Sequence, residues 1–251
     1  MNILSTNFNI SFDANGSTAD IRKSFLSVYD EVLHEKYNPP LILPIPDEIT
    51  GDIPIAIIKS KGGHSQIVLS RNGITVGTVY DNEFSNDWEK CKNHLLEKLN
   101  HVMSIISEIP MKRLSFIGLV TQIIYDEVEN ASEYIFDNLM RFDSKKNIYD
   151  VSCRLTYSME EKYYINIGIE NARIYDGKPV INNNEIVSFD GKRETGNKVA
   201  LTIDINDRFG FNYNENYVSE KGNSDVIVKY TDNVISNISD IVRKGAVDFD
   251  T

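Results

Sequence analysis

Two pairs of acidic residues stand beside predicted strand ends and are the first candidates for catalytic chemistry. Asp126 and Glu127 directly follow one predicted strand, and Asp204 and Asp207 flank the end of another. Metal-dependent nucleases and phosphotransferases hold their cations with converging carboxylates at such positions. The sequence supplies only pairs, without a recognisable third ligand. Since a chain with 37 acidic residues produces neighbouring acids by chance, solvated strand ends are the competing interpretation.

The histidines and cysteines do not have the spacing of a metal site. His94 and His101 fall on one predicted helix. Seven residues separate them by about 10 Å along the axis, which is too far for both to coordinate one ion. Cys91 and His94, at i and i+3, are close enough to share a metal. Cys91, however, belongs to the apolar stripe of that helix, and Cys153 forms no zinc or disulfide pattern with it. The sequence therefore predicts two reduced thiols, no metal and no cofactor.

Sequence motifs of common enzymes are missing. The chain contains no Gly-x-Ser-x-Gly elbow, no glycine-rich phosphate loop before a helix and no His-Glu-x-x-His motif. Gly62, Gly63 and His64 lie between two predicted strands, so they indicate a hairpin turn. These observations favour a protein that is not an enzyme.

The charge of the chain bears on its partners. The formal net charge is -11, which opposes attraction to nucleic-acid phosphates and to anionic membranes. Two short basic segments, 59–61 and 111–113, are interpreted as strand ends, so direct nucleic-acid binding is not expected. The acidic surface suits a basic protein partner. The amino terminus has no signal-like run and no segment reaches the length of a membrane span, so a cytoplasmic location is expected.

The first part of the chain predicts a strand, a helix, three strands and a long helix. Ser17 and Asp20 mark the start of the first helix, and Arg71-Asn72-Gly73 predicts a tight hairpin turn. Trp88 and Cys91 open the apolar stripe of the long helix, and both are interpreted as core residues. The strands are predicted over 7–12, 53–59, 65–70 and 74–80.

The second part of the chain repeats this order of elements. Polar loops are predicted over 191–197 and 212–223, and a single final helix over 225–244. A short helix is predicted over 134–142. The strands are predicted over 114–125, 149–158, 163–175 and 199–206.

These elements predict an α+β fold, with a largely antiparallel sheet and long helices packed on one of its faces. The matching order suggests two similar βαβββα-like halves, 1–110 and 111–251, which form either two domains or one continuous domain. The apolar helix stripes also leave a homo-oligomer open, because the sequence does not separate an interface from a core.

Three segments carry a resemblance to a known family. They are Trp88 at the start of the central helix, the run from Arg113 to Leu119, and Leu201-Thr202-Ile203-Asp204-Ile205 before the final helix. In this order the chain resembles a sporadically distributed family of uncharacterised bacterial proteins. It departs from that family in having Pro39-Pro40 after the first helix instead of a Pro-Pro segment before the first strand. The resemblance implies a bacterial accessory-genome protein, of a kind often associated with defence cassettes, and no particular activity.

Three functions follow as hypotheses. The first is a non-enzymatic binding protein, such as an adaptor, immunity protein or regulatory subunit, that uses a sheet face or edge to hold a protein partner. It predicts that Asp126, Glu127, Asp204 and Asp207 lie apart and well solvated. The second is a metal-dependent hydrolase, for example a nuclease or nucleotide hydrolase, which requires at least three of the chain's carboxylates to converge. The third is a sensor that binds a small molecule between the halves.

Overall fold

The fold is α+β and is built on one nine-stranded antiparallel sheet, as the sequence predicts. The computed structural model describes residues 1–48, 53–140, 148–182 and 185–245, and gives the backbone only for 177–182 and 185–192. All eight predicted strands are present, and a short ninth strand, β2, is additional. The strands are β1 (Asn2–Ala14), β2 (Leu41–Ile42), β3 (Pro54–Lys59), β4 (Ser65–Ser70), β5 (Gly73–Val79), β6 (Met111–Tyr125), β7 (Ser152–Met159), β8 (Tyr163–Asn182) and β9 (Glu185–Asn206).

The centre of the sheet is the antiparallel pair of β1 and β6. The strand order is β2-β3-β4-β5-β1-β6-β9-β8-β7, so β1 and β6 are neighbours and every other strand lies outside them. Their pairing runs from Asn2 opposite Ile124 to Ala14 opposite Met111. A single sheet therefore passes through both predicted halves of the chain.

One face of the sheet is covered by helices. Phe8 of β1 and its partner Leu119 of β6 are fully buried on this face. Ser65 of β4 also lies on it, and its hydroxyl is 3.0 Å from Nε2 of His94 on the central helix. The alternation of strand side chains thus sends the apolar rows towards the helices.

The opposite face, termed the open face, carries the alternating positions of the same strands. Asn7 pairs with Val120 across the centre of the sheet, and both are half-buried. Most side chains on this face are polar or small, which is the pattern of an antiparallel sheet with one face towards solvent. Further open-face residues are Asn9, Gln122, Asn166, Gly168, Thr202 and Asp204.

Six α-helices occur in the described residues. Ser17 caps the first helix and exchanges hydrogen bonds with Asp20, which confirms the predicted start. Cys91 is fully buried and Trp88 is 8% exposed, so both core predictions are confirmed. None of the described helices combines the length and apolarity needed to cross a bilayer. The helices are α1 (Thr18–Val28), α2 (Trp88–Glu108), α3 (Ala131–Ile135), α4 (Arg208–Tyr213), α5 (Asn223–Ser236) and α6 (Ile238–Lys244), with π-helical turns at Tyr29–Leu33 and Phe136–Met140.

The single final helix predicted over 225–244 is wrong, since α5 and α6 are separate. Asn237 lies between them with φ of -100° and ψ of 9°, outside the helical region. Its side-chain Nδ2 donates to the carbonyl of Asn233 at 2.9 Å. Asparagine competes in this way with the helical hydrogen bonds and breaks the helix. The short helix predicted over 134–142 begins earlier, at Ala131, and positions 141–142 lie outside the described residues.

The loop predicted over 191–197 is also wrong, because these residues belong to β9. The β8–β9 ladder continues from Tyr164 opposite Asn206 to Asn182 opposite Glu185. Its glycine and charged residues hide the alternating pattern of a strand, and the pairing partner decides the structure. β7 pairs with β8 only as far as Glu170, so the distal part of the hairpin is a two-stranded ribbon.

The core beneath α2 contains an ionisable cluster. His101 is 7% exposed, and its Nδ1 is 3.1 Å from the hydroxyl of Tyr37. The ammonium of Lys98, itself 5% exposed, lies 5.5 Å from the Tyr37 ring centroid. Burial, and then the positive charge of Lys98, lower the pKa of His101. The folded protein therefore holds this histidine neutral.

We expect the protein to lose stability below neutral pH because of His101. The unfolded chain binds the proton at the ordinary histidine pKa of about 6.5, whereas the folded chain binds it only at lower pH, so stability falls as pH drops through that range. Urea unfolding should give a lower free energy of unfolding at pH 5.5 than at pH 7.5, in part because of this residue. His101→Gln should reduce the difference in the free energy of unfolding between the two pH values, and His34→Gln, at an exposed position, should not. An equal pH dependence in both variants would contradict the role of His101.

Candidate functional site

The four predicted acids do not form one site. Asp126 follows Tyr125, which pairs with Val199 at one end of the β6–β9 ladder. Asp204 and Asp207 lie near the other end, where Gly118 pairs with Asn206. Seven residues of strand, or about 23 Å, separate these ends. The four acids therefore do not supply the three converging carboxylates that a metal-dependent hydrolase requires.

Asp126 and Glu127 bind groups of the protein itself. Asp126 accepts a hydrogen bond from the side chain of Asn2 and lies 3.5 Å from the terminal amine of Met1. Glu127 accepts from the Tyr125 hydroxyl at 2.5 Å and lies 3.6 Å from Arg243 of α6. Both acids are exposed, so they are surface contacts that hold chain segments at the strand end.

Asp207 is fully buried, so the prediction that this carboxylate is solvated is wrong. Its Oδ1 accepts from the backbone N–H of Ile117 at 2.6 Å. Its Oδ2 accepts from the Tyr217 hydroxyl and from Nδ2 of Asn223, each at 2.7 Å, and also from the Ser219 hydroxyl. Four donors in the core thus compensate the desolvation of this carboxylate.

The donors around Asp207 tie a loop to the sheet. Tyr217, Ser219 and Asn223 come from the stretch between α4 and the start of α5, which the sequence shows only as polar. Burial, followed by the hydrogen bond to Asp207, raises the pKa of Tyr217, so its hydroxyl stays protonated and remains a donor. Asp207 is therefore a structural anchor, and no feature of the local sequence distinguishes it from a surface acid.

Asp204 lies on the open face in a different environment. Its side chain is half-buried and accepts hydrogen bonds from Nδ2 of Asn206 at 2.8 Å and Nδ2 of Asn166 at 3.3 Å. Thr156 of β7 in turn donates to Oδ1 of Asn166 at 3.0 Å. Neutral amides orient the carboxylate, and no cation pairs with it among the described residues.

A groove of about 500 Å³ runs beside Asp204 on the open face, and we term it the open-face groove. Gly168 of β8 has no side chain there, and a Cβ at this position would be in ordinary contact with Thr202, at 3.7 Å. Arg154 of β7 and Glu170 of β8 are exposed and, in the part of the chain described, neither takes part in an ion pair. The groove is lined by Val120, Arg154, Asn166, Gly168, Glu170 and Asp204, among others.

One end of the open face carries an aromatic cluster, which we term the aromatic patch. The Arg208 guanidinium lies 4.1 Å from the ring centroid of Phe116, and the Phe116 and Phe211 rings are 5.5 Å apart. Phe211 is 38% exposed. Clusters of exposed aromatic and arginine side chains are typical of the centres of protein interfaces. The patch consists of Phe116, Tyr164, Arg208, Phe209, Phe211 and Tyr213.

The two edges of the sheet differ. The outer edge of β3 is covered by β2 and by the segment before it, where the N–H of Asn38 donates to the carbonyl of Lys59 at 2.8 Å. β7, at the other edge, has no strand on its outer side within the described residues. It is eight residues long, pairs with β8 without a bulge and contains neither lysine nor proline.

No group of three or more His, Cys, Asp or Glu side chains is arranged to hold a metal ion in the described ranges. No protein-family model matches the chain, and a search of curated proteins finds no match. The groove, the aromatic patch and the bare edge of β7 are therefore the features from which a function is argued. Of these, sequence analysis identified only Asp204, because the other parts come together through the pairing of β7, β8 and β9 and the turn into α4.

We expect Asp207→Ala to destabilise the fold strongly, since it leaves a buried N–H, two hydroxyls and an amide without their acceptor. The free energy of unfolding should fall by about 3 kcal/mol or more. Asp204→Asn, three residues earlier, is the matched control and should cost less than about 1 kcal/mol because Asp204 is half-buried. Urea unfolding followed by circular dichroism measures both, and equal losses would contradict the anchor role of Asp207.

Proposed function

We propose that this protein is a non-enzymatic binding protein that captures an extended, basic segment of a protein partner. The segment adds to the edge of β7, and its cationic side chains enter the open-face groove. The observation that carries the proposal is the unbulged edge of β7, which no described residue covers with a strand, directly beside a groove whose carboxylates have no cationic partner in the described residues.

The edge of β7 supplies the first element of recognition. An edge strand presents a row of backbone N–H and C=O groups, which an incoming strand can pair with. Native proteins usually protect such edges with bulges, prolines or charged side chains; β7 has no bulge and no proline, and its one charged residue is Arg154. At the opposite edge, β2 already occupies the equivalent position. These differences favour β7 as the docking edge.

The charges beside β7 supply the second element. Glu170 and Asp204 project from the open face of β8 and β9 without a cationic partner in the described residues, and Asn166 and Asn206 hold the Asp204 carboxylate in place. Asp204 is level with Asn166, four residues or about 13 Å along β8 from Glu170, so separate lysine or arginine side chains of the segment would pair with the two acids. The net charge of -11 steers a basic partner towards the protein and opposes an acidic one.

The aromatic patch supplies the third element. Tyr164, Asn166, Gly168 and Glu170 follow one another along the same face of β8, so the groove leads directly to the patch. An apolar side chain of the partner, two or four residues from its cationic residue and therefore on the same face of the added strand, would pack on these rings. The partner sequence is therefore expected to alternate in strand fashion, with an apolar residue at one end and lysine or arginine at the other.

The two sides of the sheet have matching orders of strands. From the centre outwards, one half contributes β1, β5, β4 and β3, and the other contributes β6, β9, β8 and β7, which supports an architectural duplication with helices on one face. In this view, one half keeps its edge covered and the other uses it for binding. The resemblance noted above favours a partner from a bacterial accessory or defence system.

We expect Glu170→Gln combined with Asp204→Asn to weaken binding of a basic segment about tenfold, through the loss of two attractive charges. Peptides selected from a displayed library against the wild-type chain should be strand-like and basic, and calorimetry should measure their affinity. The double change Glu35→Gln and Glu83→Gln alters the net charge equally at exposed sites outside the groove, and should leave the affinity unchanged.

Backbone pairing between the partner segment and β7 is tested separately from the charge interaction. Methylation of alternate backbone nitrogens in a selected peptide removes the N–H groups that pair with an edge strand, so one of the two registers of methylation should abolish binding. Peptides that bind equally after either methylation would exclude edge pairing. Selected peptides without basic residues, or with equal affinity for both double variants, would contradict the groove as the cation site.

A further inference from the structure

A second concave site lies at the base of the β8–β9 ribbon, on the side of the sheet opposite the open-face groove. It is a cleft of about 670 Å³. Arg173 of β8 and Asn197 of β9 are direct partners in the ladder and both line it. The strand alternation that buries Ile169 and Val199 sends these two side chains to the same, helix-covered face.

Two buried polar atoms in this cleft have no hydrogen-bond partner among the described residues. Asn197 is 7% exposed and its Nδ2 contacts the Ser132 hydroxyl at 3.1 Å, but its Oδ1 accepts nothing. The Arg173 guanidinium donates to Glu194 at 2.5 Å and to the carbonyl of Tyr149, but its Nε–H donates to nothing. An unsatisfied buried polar atom costs about 1–3 kcal/mol. A ligand with an acceptor beside a donor would satisfy both atoms.

The walls of the cleft restrict the shape and charge of such a ligand. Tyr149 borders it with a ring that is 66% exposed, and the guanidinium of Arg173 lies 3.7 Å from the centroid of that ring. Among the described residues, the charged side chains that line the cleft are Glu129, Arg173 and Glu194, so the acids outnumber the base there. This balance disfavours a phosphate or carboxylate group, and the exposed aromatic ring favours a flat one.

We propose that this cleft binds a planar, uncharged ligand with adjacent hydrogen-bond donor and acceptor groups, which is the chemistry of a nucleobase. One edge of the ligand accepts a hydrogen bond from the Nε–H of Arg173 and donates one to Oδ1 of Asn197. The ring of the ligand packs against Tyr149. Nucleobases are recognised elsewhere by this combination of edge hydrogen bonds and contact with aromatic or arginine planes. The free base or nucleoside is favoured over the nucleotide. This site is separate from the partner site proposed above.

The test uses adenosine, guanosine, cytidine and uridine as probes, each beside its 5′-monophosphate, with binding to the full chain measured by calorimetry. At least one nucleoside should bind, and its monophosphate should bind at least tenfold more weakly. Tyr149→Leu should weaken nucleoside binding at least tenfold. Val79→Ala changes a similarly exposed side chain, 65% exposed, on β5 and outside both proposed sites, and should have no effect.

Unfolding of the same variants shows whether a loss of nucleoside binding is caused by a loss of stability. Tyr149 and Val79 are both largely exposed, so both variants should unfold at the wild-type urea concentration. Arg173→Met then tests the edge hydrogen bond. Binding of none of the four nucleosides would mean that only water fills the cleft and would overturn the proposal. Equal binding by Tyr149→Leu and the wild type, or tighter binding of the monophosphates, would also overturn it.

Discussion

The antiparallel pairing of β1 with β6 is the constraint on which the rest of this structure depends. These two strands lie side by side in the middle of the sheet and connect all the others. Their register places Phe8 opposite Leu119 on the covered face and Asn7 opposite Val120 on the open face. Because side chains alternate strictly along a strand, a slip by one residue would exchange the two faces. The separation of an apolar core from a polar binding face follows from this register.

The helices and loops of the second half are held to this sheet by specific polar contacts. Asp207 brings Tyr217, Ser219 and Asn223 to the end of β9 and so sets the start of α5. Asp232 of α5 in turn accepts from Nε1 of Trp88 at 2.7 Å and pairs with Lys92, both on α2. The two long helices are therefore linked to each other as well as to the strands. The Asp207 cluster is buried and the Asp232 contacts are partly buried, and polar networks of this kind favour one arrangement of helices over others.

The same sheet produces two surfaces with different chemistry. On the open face, β7 ends the sheet beside a groove in which Asn166 and Asn206 hold the Asp204 carboxylate, and backbone pairing and charge are the proposed means of recognition. On the covered face, Arg173 and Asn197 line a cleft beside the start of α3, where Asn197 contacts Ser132, and each has one hydrogen-bonding atom without a partner in the described residues. The proposed functions of both surfaces arise near the limits of the regular sheet: one at its lateral edge, the other at the base of the β8–β9 ribbon.

The sequence by itself determined the fold class, the positions of the strands and the residues of the main helix stripe. These are local properties: alternation along β1, the Asn72-Gly73 turn and the 3.6-residue spacing from Trp88 require no knowledge of distant residues. The tertiary structure decided what depends on partners far away in the chain. Residues 191–197 became a strand only because β8 pairs with them, and Asp207 became an anchor only because donors at 117 and 217–223 surround it. Asp204 and Asp207 look alike in sequence, but strand geometry and chain direction place one on the open face and the other in the core.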